Sequence, residues 1–76
     1  MNEIIIQVRW AEQKQYQKIW IDPDYIVLDF IKEMNQTENR TEQYNEVYLY
    51  EEKRFLNVRQ TLFENQVCPM DHLIMI

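Results

Sequence analysis

Cys68 and His72 are the side chains of this 76-residue sequence best suited to binding a soft metal ion or to nucleophilic catalysis. They lie four residues apart, but Pro69 between them prevents the regular helix that would place both on one face. A zinc site normally needs three or four such ligands, and a catalytic Cys–His pair needs a third group that orients the histidine. The sequence has one cysteine and one histidine. We therefore predict no metal site, no cofactor and no catalytic residue, and we assign Asp71 to a turn.

Two pairs of carboxylates, Asp22 with Asp24 and Glu51 with Glu52, are the next groups that could perform chemistry. Closely spaced carboxylates can bind calcium or act as a general acid and base. Neither pair has the spacing of an EF-hand loop, and both flank segments that alternate like strands. We interpret the pairs as turn and capping residues, with Asp24 as the N-cap of a helix.

The composition excludes several classes of function. With no glycine, the sequence cannot contain a glycine-rich phosphate-binding loop, and its turns should be longer than two-residue glycine hairpins. The net charge of −5 disfavours binding to nucleic acid or to an anionic membrane surface. The lone cysteine favours a reducing compartment, and the first residues lack the basic and apolar regions of a signal peptide. We expect a cytoplasmic protein that does not insert into a membrane.

Hydrophobic periodicity predicts the elements that would position these groups. Apolar residues alternate with polar ones in two N-terminal segments, as in a hairpin of half-buried strands. Val27, Phe30, Ile31 and Met34 have the i, i+3, i+4, i+7 spacing of one helix face. The predicted order is strand, strand, helix, strand, short strand, helical turn and strand, at residues 3–10, 16–21, 25–36, 47–50, 55–56, 61–64 and 73–76.

The helical turn rests on a capping box, in which Thr61 precedes Glu64 by three residues. Residues 35–46 are almost wholly polar and are predicted to be a long surface loop. The order of elements predicts an α+β fold, a β-grasp in which a mixed sheet of four to five strands packs on one main helix. The first and last strands should pair in parallel at the centre, and residues 1–76 should form one domain.

These predicted elements resemble ubiquitin over nearly the whole chain. Asp22-Pro23-Asp24 resembles the Glu-Pro-Ser that precedes the helix of ubiquitin. The matched core and cap positions are Leu49, Leu56, Thr61-Leu62, Val67, Leu73 and Met75. The resemblance implies a ubiquitin-like β-grasp fold, and it implies that Tyr50, Ile74 and Ile76 occupy the main partner-binding patch of ubiquitin.

Ubiquitin, its conjugated relatives and the sulfur carriers of this fold end in Gly-Gly, whereas this sequence ends at Ile76 in the last predicted strand. We therefore expect non-covalent binding, with a covalent modifier or sulfur carrier truncated at its tail as an alternative. The chain is similar to the YukD/EsaB group of small ubiquitin-like proteins, which accompany the type VII (ESX-like) secretion system of Gram-positive bacteria. That resemblance implies a cytoplasmic accessory or regulatory component that binds a membrane component or an ATPase of the machinery. A homodimeric regulatory or structural domain outside secretion is the other alternative.

Alternation also predicts which apolar side chains point away from the core. The predicted partner-binding residues are Tyr48, Tyr50, Ile74, Ile76 and Ile5. Tyrosine and isoleucine on adjacent strands form the kind of apolar patch that occurs at interface centres. Substitution of Tyr50 or Ile74 by aspartate is expected to abolish binding with little change in melting temperature. Trp20, also predicted to point outward, is a candidate for a second contact.

Overall fold

The computed structural model describes residues 2–37 and 44–76 of the chain. The predicted order of strands and helix is confirmed. The elements are β1 (Ile4–Trp10), β2 (Gln17–Ile21), α1 (Val27–Thr37), β3 (Val47–Leu49), β4 (Arg54–Phe55) and β5 (His72–Met75).

The five strands form one mixed sheet in the order β2-β1-β5-β3-β4. The central pair, β1 with β5, is parallel as predicted, and the other neighbours are antiparallel. Alternate residues of β1 point into the core, where Ile6 and Val8 are fully buried. Leu49 and Leu73, which are paired across β3 and β5, lie on the same inner face and are also fully buried.

Helix α1 contributes the other side of the core. Its four predicted core residues, Val27, Phe30, Ile31 and Met34, are all buried. This amphipathic pattern explains why the helix forms here, since an isolated helix of 11 residues is marginal in water without tertiary packing.

Helix α1 begins at Val27, two residues later than predicted, and the assignment of Asp24 as its N-cap is wrong. The backbone N–H of Asp24 instead donates to Asp22 Oδ1 at 2.9 Å, which forms a local turn before the helix. The first helical N–H groups, those of Val27 and Leu28, donate to backbone carbonyls of residues 60 and 58, both at 2.9 Å. These carbonyls satisfy donors that a helix leaves unpaired at its start, so no side-chain cap is needed.

The predicted capping box is confirmed. Thr61 Oγ1 accepts a hydrogen bond from the backbone N–H of Glu64, and Glu64 Oε1 accepts one from the N–H of Thr61, both at 2.9 Å. The N–H of Asn65 donates to the carbonyl of Thr61 at 3.0 Å, which closes one helical turn. The turn stops there because Gln66 takes a left-handed conformation, with φ at 63°.

Turns are made without glycine. The connection between β3 and β4 has four residues, 50–53, and ends with Lys53 at a φ of 52°. In the turn from Cys68 to Asp71, Pro69 is followed by Met70 at a φ of 69°, the position that glycine usually takes in a type II turn. These left-handed residues are sterically unfavourable for any side chain with a Cβ.

The long polar segment between α1 and β3 is described only at its ends. Asn35 is buried, and its side chain both donates to the carbonyl of Tyr44 (3.0 Å) and accepts from the N–H of Tyr44 (3.2 Å). This pair of hydrogen bonds links the last turns of α1 to the segment that precedes β3. The remainder of the predicted loop, residues 38–43, lies outside the described residues.

Candidate functional site on the outer face of the sheet

The sheet has a second face, opposite α1, which we call the outer face. Strand register places its side chains beside one another: Ile5 pairs with Trp20, Arg9 with Ile74, and Tyr48 with Ile74. The outer face comprises Ile5, Gln7, Arg9, Lys18, Trp20, Tyr48, Phe55, His72 and Ile74, with Tyr50 and Ile76 just beyond the strand ends.

The five predicted partner-binding residues differ in exposure. Tyr50 is 56% exposed and Ile76 is 43% exposed, whereas Tyr48 and Ile5 are half-buried. The expectation that Ile74 is exposed is wrong, because it is only 8% exposed.

Ile74 lies outside the main core cluster, so its burial has another cause. It lies on β5, which has a neighbouring strand on each side, with Arg9 beside it on β1 and Tyr48 beside it on β3. Long side chains on both sides cover the shorter isoleucine between them. Alternation along one strand predicts which face a residue occupies, but not how its neighbours cover it.

Three aromatic rings form a cluster at one end of the outer face. The His72 ring lies edge-on to Tyr16, with ring centroids 4.7 Å apart, and edge-on to Tyr50 at 6.2 Å. The guanidinium of Arg9 lies 5.4 Å from the centre of the Tyr16 ring. These four side chains border an open depression of about 600 Å³, which is also lined by Ala11, Glu12, Gln13 and Lys14.

Hydrogen bonds hold His72 in place. Its Nδ1 pairs with Glu51 Oε2, and its backbone N–H donates to Glu51 Oε1 at 2.8 Å. Its Nε2 lies 2.9 Å from Gln7 Nε2, which also donates to the carbonyl of Met70 at 3.1 Å. Because the Gln7 amide nitrogen is a donor, His72 Nε2 is the acceptor in this contact, and His72 Nδ1 donates to Glu51.

The same network changes the acidity of Glu51. Partial burial of its carboxyl raises the pKa, but the hydrogen bonds from the side chain and backbone of His72 outweigh this effect and hold the pKa below its usual value. Glu51 therefore remains an anion beside the depression at neutral pH.

Arg9 anchors the loop between β1 and β2. Its Nη1 donates to the backbone carbonyls of Trp10 (3.3 Å), Ala11 (3.2 Å) and Gln13 (2.7 Å). These bonds fix the path of the loop that leads to Tyr16. Arg9 thus shapes one wall of the depression through backbone contacts.

At the other side of the outer face, Tyr48 and Phe55 pack edge-to-face across β3 and β4, with centroids 5.1 Å apart. Phe55 is 50% exposed and extends the apolar surface away from Ile74.

Tyr16, His72 and Phe55 belong to this surface but were not predicted to do so. Phe55 lies in a strand of two residues, which has no useful alternation pattern. Alternation over the predicted strand at residues 16–21 does place Tyr16 on the same side as Lys18 and Trp20, so this residue could have been included. His72 could have been found, because extending the alternation of Ile76 and Ile74 back by two residues places it on the outer face.

Trp20 points outward as predicted and is 66% exposed. It lies on β2, beside Ile5 on β1, and therefore borders the outer face at the sheet edge. Its role as a second contact stays a prediction.

The segment around Cys68 forms a turn. The Cys68 thiol is exposed, its N–H donates to Asp71 Oδ2 at 2.8 Å, and the N–H of Asp71 donates to the Cys68 carbonyl at 3.1 Å. Within residues 2–37 and 44–76, no three His, Cys, Asp or Glu side chains are close enough together to hold a metal ion. In the same residues, no helix has the length and apolar character needed to cross a membrane.

No protein-family model and no curated protein matches the chain. Among solved structures, a de novo protein designed on ubiquitin matches at 21% identity and a TM-score of 0.74, over 97% of this chain and 87% of that one. A structure described as molecular mimicry of SUMO that promotes DNA repair matches at 16% identity and a TM-score of 0.77, over 100% and 92%. A chain of the toluene 4-monooxygenase HD complex with 4-bromobenzoate matches at 10% identity and a TM-score of 0.74, over 99% and 100%. The likeness concerns the fold, and the fold of this chain is the ubiquitin-like β-grasp.

Proposed function

We propose that this chain is a non-covalent protein-interaction module and that the outer face is its partner-binding surface. The proposal rests on the cluster of Tyr16, His72 and Tyr50, in which the His72 ring packs against both tyrosines beside an open depression. Aromatic side chains are enriched at interface centres, and rings that are already fixed lose little conformational entropy on binding.

The exposed apolar area extends beyond the ring cluster. Tyr50, Phe55 and Ile76 are each roughly half exposed, and they flank the buried Ile74 and the half-buried Tyr48. A partner that covers this area would remove apolar surface from water at about 25 cal/mol per Å². Two exposed aromatic rings and an exposed isoleucine on one face form a suitable site for a protein surface of complementary shape.

The hydrogen bonds of His72 and Arg9 favour a role in binding over a role in catalysis. Both ring nitrogens of His72 have partners, namely Glu51 and Gln7, and Arg9 is bonded to loop carbonyls. A general base must be able to accept a proton from its substrate, and a histidine whose nitrogens are both occupied by protein groups is poorly placed to do so.

Within this proposal, residues 1–76 act as one domain and as a cytoplasmic accessory or regulatory component of a Gram-positive type VII secretion system. The resemblance of its pattern of strands and helix to the small ubiquitin-like proteins of the YukD/EsaB group supports this assignment, and the ubiquitin-like fold agrees with it. The expected partner is a membrane component or an ATPase of the secretion machinery.

An affinity capture experiment with two aspartate variants tests the proposal. Tagged protein is incubated with detergent-solubilised lysate of a Gram-positive bacterium that carries the system, and captured proteins are identified by mass spectrometry. Tyr50→Asp places a charge on the outer face, whereas Phe63→Asp places one on a similarly exposed aromatic position, 70% exposed, in the helical turn. Wild type and Phe63→Asp should capture secretion components, and Tyr50→Asp should not.

Three other results would contradict parts of the proposal. Equal capture by all proteins would exclude the outer face as the site. Capture of unrelated proteins by the wild type would exclude the assignment to secretion. If nothing is captured and light scattering shows a dimer that Tyr50→Asp dissociates, the outer face binds a second copy of this chain.

A further inference from the structure

Three polar neighbours of His72 specify which of its ring nitrogens carries a proton. Glu51 Oε2 accepts from Nδ1, so this nitrogen is protonated. Gln7 Nε2 lies 2.9 Å from His72 Nε2 and 3.1 Å from the carbonyl oxygen of Met70. The two hydrogens of the Gln7 amide serve these two acceptors. A second proton on the ring, at Nε2, would therefore face a donor.

The Gln7 amide cannot be turned over without a loss. Its oxygen would then lie beside the carbonyl oxygen of Met70, and two acceptors would face each other. The turn that carries this carbonyl is itself held in place, because the N–H of Met70 donates to the carbonyl of Ile5 at 2.6 Å. The N–H of Gln7 also donates to the carbonyl of Asp71 at 2.9 Å. The side chain of Gln7 thus satisfies Met70 and His72 together only while His72 Nε2 has no proton.

Ionisable side chains reach the His72 ring from several segments. One carboxylate is paired with Nδ1, two tyrosine rings pack against the imidazole, two cations and a second carboxylate line the same depression, and the preceding residue carries a third carboxylate. In that order they are Glu51, Tyr16 and Tyr50, Arg9 and Lys14, Glu12, and Asp71. The hydrogen bond to Glu51 becomes stronger when His72 is a cation, since charge-assisted hydrogen bonds are the stronger ones. The ring is therefore held at Glu51 in both states, and the contact that is lost on protonation is the one with Gln7.

We propose that His72 and Gln7 form a pH-sensitive switch in the outer face, where they are paired across the central strands β1 and β5. At high pH the Gln7 amide bridges His72 and Met70. When His72 takes up its second proton, the ring stays with Glu51 and the Gln7 amide leaves the bridge. The outer face then gains one positive charge and loses a link to the turn that carries Met70. Histidine is suited to this role, because its ordinary pKa of about 6.5 lies within the physiological range.

A partner that covers the outer face would meet a different surface in each state. One charge and one displaced side chain distinguish the two surfaces, so the affinity for a given partner would depend on pH. This consequence rests on the proposed function, whereas the switch is a property of the chain alone. Measurements without a partner therefore separate a failure of the switch from a failure of the binding proposal.

NMR of the isotope-labelled chain tests the switch directly. A scalar coupling across the hydrogen bond between Gln7 Nε2 and His72 Nε2 should be present at about pH 8 and absent at about pH 5. The side-chain amide signals of Gln7 should shift along the same titration curve as the His72 ring. Those of Gln17, an exposed glutamine on β2, should not follow that curve. Glu51 stays charged over this range, because hydrogen bonds from His72 hold its pKa below its usual value.

The proposal is overturned if the coupling is absent at the higher pH, if it persists at the lower pH, or if the Gln7 signals do not follow the titration of the ring. Each of these results would show that the Gln7 amide does not respond to the proton on His72.

A pair of methionine variants measures the same link through stability. Gln7→Met removes the amide but keeps a side chain of similar length, and Gln17→Met is the matched control on β2. An interaction that needs the unprotonated ring contributes stability at high pH and loses it as the pH falls. The shift in urea midpoint caused by Gln7→Met should therefore become less destabilising between about pH 8 and about pH 5, and that caused by Gln17→Met should not change. An equal shift at both pH values for Gln7→Met would contradict the switch.

Discussion

At the scale of single residues, aspartate substitutions at Tyr50 and Ile74 should differ in their effect on the stability of the fold. Both belong to the outer face, but Tyr50 is 56% exposed whereas Ile74 is 8% exposed. Tyr50→Asp should change the free energy of unfolding by less than about 0.5 kcal/mol, because surface substitutions usually have small effects. Ile74→Asp should lower it by about 3 kcal/mol or more, because it replaces a buried apolar side chain with a carboxylate that is removed from water.

Chemical denaturation of both variants measures this difference in the free energy of unfolding. From the sequence alone, both substitutions were expected to leave the melting temperature nearly unchanged, and the burial of Ile74 changes that expectation for Ile74→Asp. Equal stability of the two variants would mean that Ile74 is exposed in solution. It would then have to be counted among the binding residues again.

Glu51 gives a pH-dependent test at the same scale. Its pKa in the folded chain lies below the ordinary value of 4.5, because hydrogen bonds from His72 oppose and outweigh the effect of burial. A group whose pKa is lowered by folding stabilises the protein above its unfolded pKa, and this contribution is lost as the pH falls through the folded pKa. Glu51→Gln should therefore lower stability at pH 7 by up to about 1 kcal/mol, a value limited by solvent screening of this partly exposed pair.

The difference between wild type and Glu51→Gln should become small at about pH 3, where the wild-type carboxyl gains its proton. Glu52→Gln is the matched control, since Glu52 pairs with Arg54 at 2.6 Å and does not contact His72. A Glu51→Gln effect of equal size at both pH values would show that the carboxylate charge is not involved.

At the scale of elements, the glycine-free turns retain steric strain that substitution can remove. Lys53 has a φ of 52° and an exposed side chain at the end of the β3–β4 turn. Lys53→Gly should raise the free energy of unfolding by roughly 1 kcal/mol, because glycine takes this conformation without a Cβ clash. Lys32→Gly, the same substitution at an exposed position within α1, should lower it by about 1 kcal/mol.

Thermal melts of the two variants should therefore move in opposite directions from the wild type. A loss of stability in both would show that the entropy of the unfolded chain outweighs the strain at Lys53.

Asn65 stabilises the segment that follows β4. It is 4% exposed, its Oδ1 accepts from the N–H of Asn57 (2.8 Å), and its Nδ2 donates to the carbonyls of Asn57 (3.0 Å) and Thr61 (2.9 Å). Asn65→Ala should cost about 2–3 kcal/mol, since it leaves buried backbone groups without partners. Asn45→Ala, at an exposed position, should cost less than about 0.5 kcal/mol. Urea denaturation distinguishes these values, and equal effects would contradict the structural role of Asn65.

At the scale of the whole molecule, the fold could be predicted because the spacing of apolar residues and the order of the elements indicate the same architecture. Alternation in β1 and the four-residue face of α1 each identified an element, and the order of elements specified the parallel central pair. The start of α1 could not be predicted, because its first N–H groups bond to carbonyls of residues 58 and 60, which are distant in sequence.

The candidate site was predictable only in part. Alternation placed Tyr48, Tyr50 and Ile76 on the correct side of the sheet, but it does not reveal cross-strand coverage, and therefore it misjudged Ile74. Alternation places both Tyr16 and His72 on the outer face, but their ring contact spans β1, which lies between β2 and β5 in the sheet. The spacing of apolar residues along one segment does not predict such contacts between distant segments.

We propose that the outer face contacts a partner protein in the cell. Site-specific photo-crosslinking tests it most directly: a photoreactive amino acid replaces Tyr50 in one strain and Phe63 in another, in a Gram-positive host with a type VII secretion system. The Tyr50 position should form a discrete adduct, identified by mass spectrometry as a component of the secretion machinery, and the Phe63 position should form none. Adducts of equal yield from both positions, or from Phe63 alone, would contradict it.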